Sequence, residues 1–188
     1  MKLRNSAKDY GAIPQLLHWL TVILVVLAWA LGTFDDALPK GGPRAAGLFV
    51  HITAGIAILA LLVTRVTWRM VDPSPPPEVT EFSKWMGVWM DPAARIAHYT
   101  LYALLVAAPV AGIVPQFARG DALPLFGLAE IASPWLKDRA FARSVKEVHE
   151  ILSHALVIFA AFHAAAALIH HWIFRDRTLV RMLPRSGR

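Results

Sequence analysis

Four long runs of apolar residues dominate the chain, and polar or proline-containing segments separate them. The runs cover residues 16–34, 48–68, 96–117 and 151–174. Each reaches or approaches the length of about 20 residues that crosses about 30 Å of hydrocarbon. A buried helix of a soluble protein is rarely apolar over such a length. The pattern predicts one all-α integral membrane domain over residues 1–188, a four-helix bundle with helices at about 14–34, 47–69, 94–117 and 147–174.

The connections between the runs contain no domain of their own. The proline-rich segment 72–77, DPSPPP, cannot continue a helix, because proline lacks the amide hydrogen and clashes with the preceding turn. The third connection, residues 118–146, is the only one able to form a small cap outside the membrane. No internal repeat is visible beyond a loose similarity between helix starts that carry a histidine. The 56% share of hydrophobic residues agrees with a membrane domain.

Lysine and arginine predict the orientation, because short basic segments stay cytoplasmic. Twelve of the 19 lie in the N-terminal segment, the second connection and the tail, and seven lie in the first and third connections. Both termini are therefore expected on the cytoplasmic side. The net charge of +6 is read as an orientation and lipid-headgroup effect, and no nucleic-acid partner is expected.

A cleaved signal peptide is a competing interpretation of the first run. Basic residues precede it, and Ala28, Trp29 and Ala30 fit the A-x-A cleavage pattern. The run is, however, longer than the usual apolar region of about 7 to 15 residues. Cleavage would also remove His18 from the mature chain.

Histidines recur on one face of the fourth run. A helix turns about 100° and rises about 1.5 Å per residue, so the step from His149 to His163 returns to within about 40° of the same face and advances about 21 Å. The next step, to His170, keeps that face within about 20°. Imidazoles inside an apolar span are costly and usually mark function. His149 and His163, at two depths of one helix face, suggest two metal or haem sites in series across the membrane.

Partners for these histidines can be matched by depth. His51 begins the second run at the same side as His149, and His18 lies near the start of the first run, at the depth of His163. The predicted pairs are therefore His51 with His149 and His18 with His163. A lone histidine would more simply be a polar group hydrogen-bonded across a helix interface, but four at matched depths favour ligation. A mixed non-haem metal site is the nearest alternative, although no aspartate or glutamate lies inside the four runs.

The absence of cysteine excludes several redox chemistries. With no cysteine in the chain, there is no disulfide, no thioether-attached haem and no cysteine-ligated iron–sulfur cluster. The five methionines lie at or outside the ends of the runs, which argues against ligation by one histidine and one methionine. Ligation by two histidines remains.

Four segments resemble the bacterial cytochrome b561 family: LLHWLTVILVV, FVHITAGIAIL, HYTLYALLVAAPVAGIV and KEVHEILSHALVIFAAFHAAAALIHHWIFRDRTLVRMLPR. The resemblance spans residues 13–185 and implies a four-helix inner-membrane protein with two haem b groups. It also implies that the axial ligands are His18, His51, His149 and His163. Within the family the chain is most similar to the superoxide oxidase branch, which implies electron transfer from superoxide to ubiquinone.

The remaining polar residues of the runs suggest a quinone site at the cytoplasmic side. His170 continues the ligand face, and Arg65 and Arg69 lie at a similar depth. A histidine titrates near neutral pH and could supply a proton to a quinone. The alternative is an interfacial histidine that reaches the lipid headgroups. His98 is expected to contact a haem propionate or the membrane interface, and His154 is expected to be structural. His171 is a weaker candidate for the quinone site.

The expected function is a membrane oxidoreductase that passes single electrons from superoxide at the outer face to ubiquinone at the inner face. The positive third connection could attract a superoxide anion, although five acidic residues balance its five basic ones. One alternative is an anchor subunit that carries electrons between a partner dehydrogenase or hydrogenase and quinone. A second alternative is a transporter that uses intramembrane histidines without haem.

Overall fold

The computed structural model describes residues 2–76 and 90–184, and four long helices account for most of them. They are α1 (Ala12–Thr33), α2 (Gly42–Val71), α3 (Met90–Ala118) and α4 (Arg139–Trp172). All four are long and apolar enough to cross a membrane. The predicted four-helix membrane architecture is therefore confirmed.

All four helices begin earlier than the hydrophobic pattern predicts, α1 by only two residues. The starts of α2 and α3 precede the predicted positions 47 and 94 by about one turn. The predicted start of α4 near residue 147 is wrong, because α4 begins at Arg139. Asp138 caps it, and its carboxylate accepts a hydrogen bond of 2.9 Å from the amide of Phe141. Hydrophobicity marks the part of a helix that crosses lipid, whereas the cap marks where the helix starts.

The helices pack as two antiparallel hairpins. α1 packs mainly on α2 and α3 mainly on α4, and α2 joins the two hairpins by its contact with α3. Small and branched apolar residues fill the centre, including Ala54, Ile58 and Leu156. Large apolar side chains face outward instead, and Val63 and Phe162 are 67% and 68% exposed. An apolar exterior of this extent suits lipid rather than water.

The two ends of the bundle differ. The hairpin end contains the connection from α1 to α2 and a two-stranded antiparallel sheet of β1 (Leu123–Leu125) and β2 (Ala129–Ile131), in which Leu123 pairs with Ile131. The termini end contains residues 2–11, 72–76 and 173–184. Residues 139–146, which were expected to belong to the third connection, instead form the first two turns of α4 at the hairpin end.

The C-terminal segment folds back onto the start of α1 at the termini end. The indole of Trp19 donates a hydrogen bond of 2.7 Å to the carbonyl of Met182, and the amide of Gln15 donates one of 3.0 Å to the carbonyl of Arg181. The buried guanidinium of Arg181 lies 5.6 Å from the centre of the Tyr10 ring. Arg181 and Met182 therefore pack close to His18, since Met182 accepts from the residue next to it.

Candidate functional site

The structure brings His51 and His149 together near the hairpin end. Their ring centres are 5.8 Å apart and their planes are inclined at 88°. His51 lies on α2 and His149 on α4, the pairing expected from their depth. Both rings are partly buried within the bundle.

Each ring of this pair is held by a backbone carbonyl of the neighbouring helix. Nδ1 of His51 donates a hydrogen bond to the carbonyl of Ala28, and Nδ1 of His149 donates one to the carbonyl of Ala108. The N···O distance is 2.8 Å in both. A carbonyl can only accept, so Nδ1 must carry the proton and Nε2 must present its lone pair. Metal-ligating histidines are usually held in this way.

Two glycines provide the space for these rings. A Cβ atom on Gly32 would lie 2.9 Å from Cε1 of His51, and one on Gly112 would lie 2.9 Å from Cε1 of His149. Contacts of real Cβ atoms are essentially never so short, so a larger residue would displace the imidazole. Sequence reasoning missed both glycines. The signal was the repeated A-x-x-x-G spacing of Ala28 with Gly32 and of Ala108 with Gly112.

Two buried polar atoms lie close in sequence to these positions. Nε1 of Trp29, the residue after Ala28, and Oγ1 of Thr53, two residues after His51, have no hydrogen-bond partner among residues 2–76 and 90–184. Buried polar groups are normally satisfied, so such atoms suggest that a ligand with polar groups belongs nearby.

A second group of histidines lies toward the termini end. The ring centres of His18 and His163 are 6.4 Å apart, as their depth predicted. His98 lies nearer to His163 than His18 does, at 5.2 Å. Sequence reasoning had assigned His98 to an interface or propionate contact. The structure makes it the third imidazole of this group.

Arg65 lies against this second group. Its Nη1 is 3.3 Å from Nδ1 of His18, and its guanidinium lies 5.8 Å from the centre of the Tyr102 ring. Arginine can only donate, so in this contact Nδ1 of His18 accepts. That is the reverse of the tautomer that the carbonyls impose on His51 and His149. The second group is therefore less fully prepared for ligation through Nε2 than the pair at the hairpin end.

The two helical hairpins repeat one arrangement of these residues. His18 precedes Ala28 by ten positions, and His98 precedes Ala108 by ten. Arg65 follows His51 by 14 positions, and His163 follows His149 by 14. The first hairpin therefore has an arginine where the second has a histidine. This repeat is too sparse to recognise in the sequence, and it becomes visible once the contacts of its members are known.

The three predicted quinone-site residues each have different surroundings. Nδ1 of His170 is hydrogen-bonded to the carboxylate of Asp176, whereas Arg65 contacts His18 and the side chain of Arg69 is exposed. Within the described part of the chain, no hydrogen bond joins either arginine to His170. The exposed His154 contacts Trp29, with ring centres 6.3 Å apart.

Comparison with known proteins identifies the family to which the chain belongs. The family model of prokaryotic cytochrome b561 matches residues 9–185. The chain belongs to that family. It is 31% identical to a probable superoxide oxidase CybB of Yersinia pestis, over 95% of this chain and 98% of the relative. It is also 31% identical to cytochrome b561 homolog 2 of Escherichia coli K12, over 100% of this chain and 97% of the relative, and 31% identical to homolog 1 of that strain.

Membership identifies a multi-pass membrane protein with a role in electron transport, and the family binds b-type haem. The residues fit that group. Imidazole nitrogens are common ligands of haem iron, and the structure brings His51 close to His149 and both His18 and His98 close to His163. The oriented Nδ1 protons and the glycine spaces of His51 and His149 are what such ligands need. With no cysteine in the chain, the haem must be held without covalent attachment.

Proposed function

We propose that this protein transfers single electrons from superoxide to ubiquinone. The observation that carries the proposal is the presence of two histidine groups at two depths of one transmembrane bundle, in a chain aligned over nearly its whole length with a probable superoxide oxidase. Two superoxide anions lose one electron each and leave as dioxygen, while one ubiquinone takes up two electrons and two protons and leaves as ubiquinol. The b-type haem supplies the one-electron chemistry when bound, and the protein supplies ligands, spacing and access.

The proposed ligands form two pairs, one for each of two haem groups. His51 and His149 bind the first, and His18 and His163 bind the second. Nε2 is free for ligation in the first pair because the carbonyls of Ala28 and Ala108 occupy Nδ1. In the second group His98 is an alternative to His18 as the second ligand, since its ring lies closer than that of His18 to the ring of His163.

Variants of the ligands test this assignment. His51→Ala and His149→Ala should each remove one haem and keep the other, whereas His163→Ala should remove the second haem. His18→Ala and His98→Ala decide between the two rings at the second site: loss of that haem with His18→Ala and its retention with His98→Ala would support the pairing. Haem content per chain and the reduced spectrum measure each outcome. If His51→Ala and His163→Ala removed the same haem, the pairing would be wrong.

The donor side is proposed at the hairpin end. Lys146 lies one turn before His149 on α4, and Arg119 belongs to the same end. Glu150 pairs with Lys146 at 2.7 Å and Asp121 with Arg119 at 3.0 Å, so much of this positive charge is compensated. The choice of superoxide is supported mainly by the name of the Yersinia relative and only secondarily by charge.

The acceptor side is proposed at the termini end, with ubiquinone bound beside His170. Arg65 and Arg69 lie in the last two turns of α2 at this end, and both are retained as candidate quinone contacts. Arg65 already contacts a proposed ligand, so its replacement is expected to alter the second haem site as well as quinone reaction. His170 is the cleaner position at which to test the acceptor site.

The termini end is proposed to face the cytoplasm, with the protein in the bacterial inner membrane. The support is the distribution of lysine and arginine, twelve to seven, of which Lys84, Arg185 and Arg188 lie outside the described residues. Because the native chain has no cysteine, single cysteines can be introduced and labelled cleanly. A cysteine at Ser6 should be labelled only after the cells are opened, and one at Ala129 should be labelled in intact cells whose outer membrane has been permeabilised. The opposite result would invert the orientation.

The decisive experiment uses the purified protein with its haem. A pyridine haemochrome assay should give two haems per chain, both removable by acid acetone. A pulse of superoxide should reduce the protein, and a soluble ubiquinone should reoxidise it. Absence of haem would favour the transporter. Reduction only in the presence of a co-purified redox subunit would favour the anchor subunit.

A further inference from the structure

His170 and Asp176 form a partly buried imidazole–carboxylate pair at the end of α4. Nδ1 of His170 is hydrogen-bonded to Oδ2 of Asp176. The Asp176 side chain is only 4% exposed and that of His170 is 21% exposed. Since a carboxylate can only accept, Nδ1 carries the proton and Nε2 is the ring nitrogen left to contact a ligand.

The chain reverses sharply to bring this aspartate back to the helix. Arg175 has a φ of 54°, a left-handed conformation that is unfavourable for a residue with a Cβ. The backbone amide of Phe174 donates a hydrogen bond of 3.2 Å to the carbonyl of Ile169, and that of Asp176 donates one of 3.1 Å to the carbonyl of His170. Glycine is the usual residue at such a helix end, so the reversal is maintained by its surroundings against a local cost.

The second oxygen of the carboxylate is also engaged. The amide of Thr178 donates a hydrogen bond of 2.8 Å to Oδ1 of Asp176. Burial by itself raises the pKa of the Asp176 carboxyl, but the hydrogen bonds from His170 and Thr178 outweigh it and hold the pKa below its usual value. Asp176 therefore stays ionised near neutral pH, with one oxygen on the backbone and one on the imidazole.

We propose that Asp176 is a positioning residue that presents His170 to ubiquinone as a proton donor, an inference that rests on the acceptor site proposed above. The anionic carboxylate keeps a proton on Nδ1, so a second proton taken up by the ring is carried on Nε2. The Nε2 proton then passes to a quinone oxygen as the quinone accepts an electron, and the aqueous phase at the termini end restores it. Two such transfers supply the two protons that ubiquinol requires.

Other charged groups lie next to the pair along the chain. Arg177, next to Asp176, forms an ion pair of 2.9 Å with Asp9 of the N-terminal segment. Arg175 and His171 lie on either side along the chain, and Arg175 is exposed. Asp9 thus has the same chemistry as Asp176 at the same end of the bundle, but its carboxylate pairs with Arg177 and provides a matched control.

The tautomer of His170 can be tested without any quinone. In Asp176→Asn the Thr178 amide still requires an acceptor, so the amide oxygen should take the Oδ1 position and the NH2 group should face His170. The ring must then accept at Nδ1 and carry its proton on Nε2. In the reduced, diamagnetic protein, 15N spectra of labelled histidine should show Nδ1–H in the wild type and in Asp9→Asn, and Nε2–H in Asp176→Asn. An unchanged tautomer in Asp176→Asn would overturn the inference.

A kinetic cycle then tests whether Asp176 acts through His170. Asp176→Asn and His170→Ala should each slow reoxidation by a soluble ubiquinone about ten-fold or more, with haem content and reduction by superoxide unchanged. The double variant should be no slower than His170→Ala, because the aspartate has no ring left to position. A purely structural role would instead give losses that add, and Asp9→Asn would then slow the reaction similarly.

The outcomes separate the two proposals. If His170→Ala reoxidises at the wild-type rate, the acceptor site proposed at His170 is wrong and the kinetic role of Asp176 is wrong with it. If His170→Ala is slow and Asp176→Asn is not, the acceptor site stands and the positioning role of Asp176 fails.

Discussion

The glycine spaces beside His51 and His149 allow a quantitative prediction. Replacing Gly112 by alanine places a Cβ atom 2.9 Å from Cε1 and 3.1 Å from Nδ1 of His149. The neighbouring atoms belong to a rigid ring held by a hydrogen bond of 2.8 Å to the Ala108 carbonyl, so the ring must rotate or shift. Losing that bond costs about 1 kcal/mol, and an off-rotamer side chain costs about 0.5–1.5 kcal/mol. A total of about 2 kcal/mol weakens haem binding at the hairpin-end site about 30-fold.

The haem-free fold should respond much less than the haem site. Alanine favours a helix over glycine by about 1 kcal/mol, which offsets part of the cost of displacing the His149 ring. The free energy of unfolding without haem should therefore fall by only about 1 kcal/mol, and haem binding at the second site should be unchanged. A general loss of folding would instead weaken haem binding at both sites.

Titration of haem into the haem-free protein measures the prediction, with the second site as an internal reference. Gly55→Ala is the matched control: it also replaces a glycine inside a membrane helix, but its Cβ would lie 4.0 Å from Cβ of Pro109, an ordinary contact. Gly32→Ala should reproduce the effect of Gly112→Ala, because it displaces His51 from the other side of the pair. If Gly112→Ala and Gly55→Ala bound haem with equal affinity, the proposed role of the pair as ligands would be refuted.

Further predictions concern the termini end. Arg65→Gln removes a positive charge beside His18, so the midpoint potential of the haem at that site should fall, on the order of 50–100 mV, with little change at the other, as a redox titration followed in the visible spectrum would show. Asp176→Asn should lower the thermal stability at pH 7. Because the folded-state pKa of Asp176 is depressed, the difference in stability from the wild type should persist above about pH 4 and shrink as the pH falls below that value. A stability difference that stays constant down to acid unfolding would contradict this. Trp19→Phe removes the hydrogen bond to the Met182 carbonyl and should lower the free energy of unfolding by about 1 kcal/mol, measured by titration with a denaturing detergent, whereas Trp172→Phe, on an exposed side chain, should have a smaller effect.

The sequence alone was sufficient for the architecture and for the matching of histidines by depth. Apolar length reports the thickness of the bilayer, and the helical rise converts the spacing from His149 to His163 into a distance along the axis. The apolar length and the distance between two histidines of one helix can each be read from a single segment of the sequence. For the same reason the sequence placed the start of α4 too late, because the aspartate cap at Asp138 lies outside the apolar run.

The tertiary structure decided what surrounds each histidine, because those contacts join helices that are distant in sequence. The carbonyls of Ala28 and Ala108, the spaces at Gly32 and Gly112 and the closeness of His98 to His163 depend on how helices pack and rotate. Arg65 and His170 share a depth in the sequence, yet one contacts His18 and the other Asp176. Periodicity gives the depth and face of a residue on its own helix, whereas the neighbour across the interface is set by packing of the whole bundle.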